Sequence, residues 1–369
     1  MKITDVKVMV SNQQVVQETA DDERGKGQRW DIVSVRIVTD EGIEGVSFAW
    51  GARSGRVTAN IIYDILRPAL IGEDPLSIEE IWHKLRTVDR WHALLPTYAI
   101  GPIDIALWDI LAKKAGMPMY QVLGAYRNKV KAYASSLVLP SPEAYVNEAL
   151  YSKARGYHAY KIHPIGDPNL DIRTCEMVRK AVGDNFDLML DPAAAYNYEQ
   201  ALKVGRAIEE MNFIWYEEPM PDEQFENYVR LSDKLDIPVA ACEFISGSLF
   251  TTSEYIARRA VDIIRSDVSW KGGVTALRKT AALCEAFGIN CEIHTTCYAL
   301  LDAANLHVNC SIKNCTYHEV LLPEKQFTFG VKAPIVIDQD GYVNPPSVPG
   351  LGVEVDWELL GRSKVYVPE

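Results

Sequence analysis

Residues 159–164, "AYKIHP", form one of a series of short apolar runs and carry two basic side chains. Side chains alternate between the faces of a β-strand, so Lys161 and His163 lie on the same face of this run. A solvent-exposed edge tolerates two bases, whereas a buried face requires anionic partners for them. The rest of the sequence must decide between these alternatives.

Similar runs recur from about Lys129 onward, at a spacing of roughly 25 to 30 residues. Amphipathic segments such as 174–183, "TCEMVRKAVG", separate them and have helical periodicity. The eight runs are "VKAYASSLV", "AYKIHP", "FDLMLDP", "NFIWYEEP", "IPVAACEF", "DIIRSDVS", "NCEIHTT" and "CTYHEV". This alternation predicts a (β/α) barrel.

The segments on either side of the barrel predict an α+β domain. Residues 2–10 and 31–48 are strand-like, and the turn signal Asp40-Glu41-Gly42 predicts a hairpin in the second run. The polar stretch 13–30 predicts a mobile loop, and residues 56–124 have helical periodicity. The proline- and glycine-rich C-terminal segment leaves the barrel pattern, and we expect it to return to the N-terminal domain.

Composition limits the class of protein. The chain has 369 residues, 48% of them hydrophobic, which is enough for a sizeable core. A formal net charge of −12 disfavours nucleic acid or an anionic membrane as a partner. No apolar run approaches a membrane span, and the first residues do not resemble a signal peptide, so we expect a cytoplasmic protein. The seven cysteines are scattered and indicate neither a disulfide framework nor a thiolate zinc site.

Catalytic groups of such barrels lie at the C-terminal ends of the strands, where this sequence places a titratable residue almost every time. Asp191, Glu217 and Glu243 end three adjacent strands, so their carboxylates should converge at one rim. Their mutual repulsion requires a neutralising cation. An all-oxygen ligand set with room for water and substrate favours Mg²⁺ over zinc. Each acid alone is more simply interpreted as a helix cap or an ion-pair partner, but three in phase favour the metal site.

The sixth and seventh strands end in Asp267 and His294, and the eighth strand ends in Glu319. An aspartate hydrogen-bonded to an imidazole fixes its tautomer and raises its basicity, which makes a general base for neutral pH. A lone histidine there would more often be structural, but the neighbouring acid and the metal across the rim favour catalysis. Lys161 and His163 would then face this rim opposite His294, with an anionic ligand between them.

The ordered set resembles the mandelate racemase group of the enolase superfamily over nearly the whole chain. The segment 101–124, "GPIDIALWDILAKKAGMPMYQVLG", is similar to the family's junction between capping domain and barrel. "LMLDP", "WYEEP" and "AACEF" match its three magnesium ligands, "RSDVSWKGG" and "EIHTT" its aspartate–histidine dyad, and "YHEV" its eighth-strand glutamate.

The resemblance implies an α/β fold: a modified (β/α)7β TIM-type barrel with an N-terminal α+β capping domain completed by the C-terminal segment. We expect the boundaries 1–125, 126–325 and 326–369, and a homo-oligomer. The implied reaction is Mg²⁺-dependent abstraction of the proton α to a carboxylate, giving an enediolate. The implied catalytic residues are Lys161, His163, Asp267, His294 and Glu319.

Two departures from the family pattern shape the functional prediction. His163 replaces the second lysine of the frequent Lys-x-Lys pattern, and Asp191-Pro192-Ala193 lacks the asparagine of the racemases. Both favour dehydration of a sugar acid, an aldonate or aldarate, to a 2-keto-3-deoxy acid. A racemase or epimerase, a cycloisomerase and a non-catalytic barrel that binds a small acid remain alternatives.

The substrate of this predicted enzyme is a small-molecule carboxylate, and several residues are candidates to bind it. Lys161 is predicted to bind the carboxylate and His163 to flank it. The capping domain offers further polar and aromatic side chains that could contact hydroxyl groups; these are Arg24, Trp30, Arg53 and His92.

Overall fold

The computed structural model describes residues 1–14, 29–52, 54–91, 95–245, 249–295 and 297–369. The predicted fold class is confirmed: an N-terminal domain with an antiparallel sheet caps a barrel of parallel strands. Within these ranges, no helix is both long enough and apolar enough to cross a bilayer.

The N-terminal sheet contains β1 (Ile3–Gln14), β2 (Arg29–Thr39) and β3 (Glu44–Ala52). The three strands pair antiparallel in sequence order, and the predicted hairpin joins β2 to β3. Alternate valines of β1 are buried because one face of the sheet packs on helices.

The helical half of this domain follows directly on β3. It consists of α1 (Gly55–Asn60), a π-helix (Ile61–Leu66), a 3₁₀ turn (Arg67–Ala69), α2 (Ile78–Trp91), α3 (Thr97–Ala115) and α4 (Met119–Val122). Helix α3 is buried along most of its length, and it ends where Gly116 adopts φ 66°.

In the part of the barrel that the structure describes, eight strands and seven helices alternate, as predicted. The strands are β4 (Val130–Ser135), β5 (Ala159–Ile162), β6 (Asp187–Leu190), β7 (Trp215–Glu217), β8 (Val239–Ala241), β9 (Ile263–Ser266), β10 (Asn290–Ile293) and β11 (Tyr317–Leu321). The helices are α5 (Pro142–Arg155), α6 (Pro168–Val182), α7 (Tyr198–Glu210), α8 (Phe225–Ser232), α9 (Leu249–Ala257), α10 (Val274–Ala286) and α11 (Ala299–Ser311).

The parallel sheet runs in the order β10-β9-β8-β7-β6-β5-β4-β11. The two edge strands, β10 and β11, are joined by hydrogen bonds outside the regular strand ladder. Cys291 N donates to Asn314 O at 2.7 Å, and Thr295 N donates to the Glu319 carboxylate at 3.2 Å. All C-terminal strand ends therefore face one rim, which is the arrangement that gathers side chains from different strands.

The C-terminal segment contains a 3₁₀ turn (Glu324–Phe327), β12 (Tyr342–Val343), α12 (Trp357–Arg362) and β13 (Lys364–Tyr366). The segment does return to the N-terminal sheet, where β13 pairs with β1. Before that it stays with the barrel, since β12 pairs antiparallel with the beginning of β4. The domain boundaries given above stay a prediction.

Helix α3 joins the capping domain to the barrel through close backbone contacts. A Cβ at Gly101 would lie 2.6 Å from Val268 O, so only glycine allows this approach. The Asp104 carboxylate accepts hydrogen bonds from Thr275 N at 2.9 Å and Thr275 Oγ1 at 2.6 Å. Asp104 therefore satisfies backbone donors in the first turn of α10 across the domain boundary.

Asp109 makes a second junction one turn and a half further along α3. Its carboxylate accepts from Val46 N at 3.0 Å, Leu351 N at 2.9 Å and Lys113 Nζ at 2.7 Å. One buried side chain thus connects β3, α3 and the C-terminal segment. These contacts explain why the segment 101–124 has two buried aspartates in a mostly apolar helix.

Candidate active site

A charged layer lies at the rim directly above an apolar layer inside the barrel. The apolar layer includes Ala159, Met189, Trp215, Ile263 and Tyr317. Inward-facing positions recur every second residue along a strand, so the next inward residues are Lys161, Asp191, Glu217, Arg265 and Glu319. Because these five side chains are buried, they must neutralise one another.

Lys161 lies at the centre of this layer, which answers the question raised by "AYKIHP". Its ammonium contacts Glu217 Oε1 at 2.8 Å, Glu319 Oε1 at 2.9 Å and Asp191 Oδ2 at 3.3 Å. Burial alone would lower the pKa of Lys161, but the neighbouring carboxylates of Glu217 and Glu319 outweigh it and raise the pKa well above its ordinary value. Lys161 is therefore a permanent cation fully surrounded by protein carboxylates.

Arg265 is the second cation of the layer, and it was not among the site residues predicted from the sequence. Its Nε donates to Glu217 Oε1 at 2.8 Å and its Nη2 donates to Glu319 Oε2 at 2.7 Å. Burial by itself would raise the pKa of Glu319, but Lys161 and Arg265 hold it well below the ordinary value. Arg265 lies on β9, two positions before Asp267, which directly follows that strand, so side-chain alternation could have revealed it.

His163 follows β5 and lies on the same side as Lys161. Its Nδ1 lies 2.7 Å from Ser136 O, and its Nε2 lies 2.9 Å from Asp191 Oδ2. The carbonyl fixes the ring orientation, because a carbonyl oxygen can only accept a hydrogen bond. His163 and Lys161 thus both contact Asp191.

Glu218 and Glu243 form an acidic pair beside Glu217. Glu218 has φ 41°, which ends the extended backbone of β7, and its carboxylate accepts from Glu243 N at 3.1 Å. Burial, followed by repulsion from Glu218 and Glu217, raises the pKa of Glu243 well above its ordinary value. These acids contrast with Glu217, which has two cationic partners.

Asp267 and His294 form the predicted hydrogen-bonded contact, with His294 Nδ1 3.2 Å from Asp267 Oδ2. The other oxygen of Asp267 accepts from Ser269 N at 2.5 Å and Trp270 N at 2.8 Å. Asn305 joins the two loops from below, accepting from Val268 N and donating to His294 O. His294 Nε2 points across the rim and lies 3.0 Å from Glu243 Oε1.

The proposed metal ligands Asp191, Glu217 and Glu243 are buried at the ends of β6, β7 and β8. Their donor chemistry fits Mg²⁺, which prefers carboxylate oxygens. Lys161 is the cation between Asp191 and Glu217 in this structure. Among the described residues, no three His, Cys, Asp or Glu side chains are arranged as a metal-ligating group. The ligand assignment therefore stays a prediction.

Six aromatic side chains, which we call the aromatic wall, extend from the capping domain to His294. They are Trp30, Trp50, Tyr98, Phe244, Trp270 and Tyr298. Trp50 of β3 lies 4.9 Å from Trp270 of the barrel, between ring centroids. Phe244 lies 4.7 Å from Trp270 and 6.4 Å from the His294 ring. The wall brings apolar surface to the edge of the charged rim.

Of the predicted substrate contacts in the capping domain, Trp30 belongs to the aromatic wall, with its ring centroid 5.8 Å from Trp50. Arg24, Arg53 and His92 lie outside the described residues. Their assignment as substrate-binding residues stays a prediction.

Two family models together match most of the chain. Residues 6–124 match the mandelate racemase / muconate lactonizing enzyme N-terminal domain. Residues 144–359 match the enolase C-terminal domain-like family. The second match includes all the charged residues of the rim.

Several similar proteins of known name are sugar-acid dehydratases, and 3,6-anhydro-alpha-L-galactonate cycloisomerase of Streptomyces coelicolor is 30% identical over 94% of each chain. L-talarate/galactarate dehydratase of Salmonella typhimurium is 33% identical over 78% of this chain and 70% of its own length. Arabinonate dehydratase of Saccharolobus solfataricus is 30% identical over 88% of each chain. The crystal structure of D-glucarate dehydratase from Agrobacterium tumefaciens, complexed with magnesium, superposes with a TM-score of 0.90 at 34% identity, covering 99% of this chain and 100% of that one.

Proposed function

Because the chain belongs to the mandelate racemase / muconate lactonizing enzyme family, with an enolase C-terminal-like barrel, we propose that it is a Mg²⁺-dependent sugar-acid dehydratase. It would convert an aldonate or aldarate to a 2-keto-3-deoxy acid. One observation carries this proposal: the His294 imidazole contacts Asp267 through Nδ1 and directs Nε2 into the carboxylate-lined rim.

The first step is removal of the proton at C2 of the substrate. With its Nδ1–H donated to Asp267, neutral His294 carries the free electron pair on Nε2, which takes the proton. The electron pair of the broken C–H bond moves into the carboxylate and forms an enediolate. Asp267 stabilises the imidazolium that results.

The second step is departure of the hydroxyl group at C3. The enediolate electrons form the C2–C3 double bond, the C3–O bond breaks, and a conjugate acid protonates the leaving oxygen so that water is released. The His294 imidazolium and His163 on the opposite side of the rim are the candidate acids. The enol product then tautomerises to the 2-keto acid.

Asp191, Glu217 and Glu243 would hold Mg²⁺, which supplies positive charge to the substrate carboxylate as negative charge develops there. Their burial at adjacent strand ends supports this assignment. Lys161 and Arg265 hold Glu217 and Glu319 in fixed orientations from below the rim. Glu319 also accepts from Thr295 N, next to His294.

Two measurements test the proposal. A panel of aldonic and aldaric acids is assayed for 2-keto product and for exchange of the C2 proton in deuterated water. We expect both with at least one acid, and loss of both on chelation, restored by Mg²⁺. A protein that only binds acids would exchange no proton. Turnover that survives complete chelation would contradict the metal assignment alone.

A further inference from the structure

The residues of the rim do not determine whether the substrate has one carboxylate or two. The aromatic wall could distinguish these two classes of substrate. Phe244 directly follows Glu243, and its side chain is 58% exposed although it lies beside two other rings. An exposed aromatic ring next to a buried charged site is typical of a ligand-binding surface.

The position of this surface is fixed by the same turn that orients the dyad. Trp270 N donates to Asp267, and Thr97 Oγ1 from the capping domain donates to Trp270 O at 2.5 Å. The Trp50 ring packs against the Trp270 ring, and the Tyr298 ring packs edge-on against Trp50 with 5.3 Å between the ring centroids. The exposed outer ring therefore rests on a rigid support, and binding there requires little reorganisation.

The distances relate this surface to the reacting carbon. Nε2 of His294 must reach C2, and the ring of Phe244 lies 6.4 Å from the ring of His294. A sugar acid that binds with its carboxylate at the rim therefore places its carbons beyond C3 at distances from His294 that include the position of Phe244. The wall is thus placed to contact the distal half of the substrate rather than its reacting end.

Aromatic faces carry partial negative charge. They stack favourably on C–H groups, and they repel and desolvate a carboxylate. We propose that Phe244, supported by Trp270, contacts the substrate beyond C3 and selects acids with an uncharged distal end, so that aldonates are preferred over the corresponding aldarates. This inference rests on the proposed function and names its substrate class.

The test compares acids that differ only at the distal carbon, such as galactonate with galactarate and gluconate with glucarate. We expect the wild-type kcat/KM for C2-proton exchange to be at least about 10-fold higher for the aldonate of any pair that reacts. In Phe244→Ala we expect that ratio to fall at least about 5-fold, and in Phe244→Trp to be retained.

A matched control variant is Phe287→Ala. Phe287 is similarly exposed, at 56%, but it follows α10 at the opposite end of the barrel, before β10 begins. We expect the aldonate-to-aldarate ratio of this variant to equal that of the wild type. An equal fall of this ratio in both phenylalanine variants would show that the preference does not depend on contact with Phe244 and would overturn the inference.

Different results would overturn the role of the aromatic wall and the proposed dehydratase function. A wild type that prefers aldarates, or a ratio that is unchanged in Phe244→Ala, overturns the role of the wall while dehydration stands. Absence of C2-proton exchange with every acid of the panel overturns the proposed function and, with it, the inference.

Discussion

The rim of the barrel and the Asp104 junction of helix α3 both bury carboxylates, but they provide different partners for them. At the rim, Glu217 and Glu319 contact the side-chain cations Lys161 and Arg265. At the junction, Asp104 accepts from the backbone and hydroxyl of Thr275. Backbone donors are fixed by the fold, whereas the rim cations are side chains brought together from different strands. The comparison distinguishes buried carboxylates that connect the two domains from buried carboxylates that belong to the proposed active site.

The largest effect expected is on turnover, from a change at the rim that leaves the junction intact. His294→Asn removes the proton acceptor, so kcat should fall at least about 10³-fold. The urea midpoint should stay close to that of the wild type. His294 is partly exposed, and among the described residues its side chain contacts Asp267, Glu243 and Phe244 of the barrel. His83→Asn, on the exposed surface of α2, is the control. Near-normal turnover in His294→Asn would move the base to His163.

A second change tests the cation layer beneath the rim. Arg265→Gln leaves Glu217 and Glu319 buried with only Lys161 between them, so the free energy of unfolding should fall by about 3–5 kcal/mol. Urea unfolding measures this loss. The exposed pair Lys332–Glu354 is the comparison, and Lys332→Gln should change the free energy of unfolding by about 1 kcal/mol at most. Equal effects of the two variants would show that the Arg265 contacts stabilise the fold no more than an exposed ion pair does.

A third change breaks the junction instead. Asp104→Ala leaves Thr275 N and its hydroxyl without their partner in a buried position, which should lower the free energy of unfolding by about 1–3 kcal/mol. The kcat of the folded fraction should stay within about twofold of wild type. A loss of kcat comparable to that of His294→Asn would mean that the junction also positions the dyad.

The last prediction is a pH dependence that belongs to the junction. Burial, opposed by hydrogen bonds from Thr275, raises the pKa of Asp104 from 3.8 to about 7. The folded protein therefore holds this proton when the unfolded chain has lost it, so the contribution of Asp104 to stability is complete below pH ~4 and declines as the pH rises towards 7. The slope is about 1.4 kcal/mol per pH unit at most.

Asp104→Asn should remove this part of the slope while its amide oxygen keeps one acceptor. Urea unfolding of wild type and variant at several values between pH 4 and pH 7.5 measures the difference. Parallel stability curves for the two proteins would contradict the role of Asp104.

The sequence was most informative where side-chain alternation could be followed through a strand. Lys161 and His163 were predicted on one face, and both contact Asp191. The contact between Asp267 and His294 was also expected from neighbouring strand ends. Arg265 was overlooked because only the last residues of each run were considered, although its position alternates in phase with Asp267.

Strand lengths and aromatic contacts were harder to infer. The runs of β7 and β8 suggested longer strands, but left-handed backbone at Glu218 and Cys242 ends the ladder early. The aromatic wall brings together residues from β2, β3, α3 and three barrel loops. No local pattern indicates that such distant rings share one surface. The pairing of β12 with β4 was missed for the same reason, since a strand of two residues has no periodicity.

The pairing of β1 with β13 has a consequence for the synthesis of the chain. Val10 pairs with Tyr366, so β1 leaves the ribosome about 350 residues before its partner. At about 5–20 residues per second, one edge of the N-terminal sheet stays open for about 20–70 s. An open strand edge can pair with another nascent chain. Strand β13 therefore covers this edge of the sheet only after residues 364–366 have been synthesised. Until then, the growing polypeptide can associate with another chain through β1 during translation.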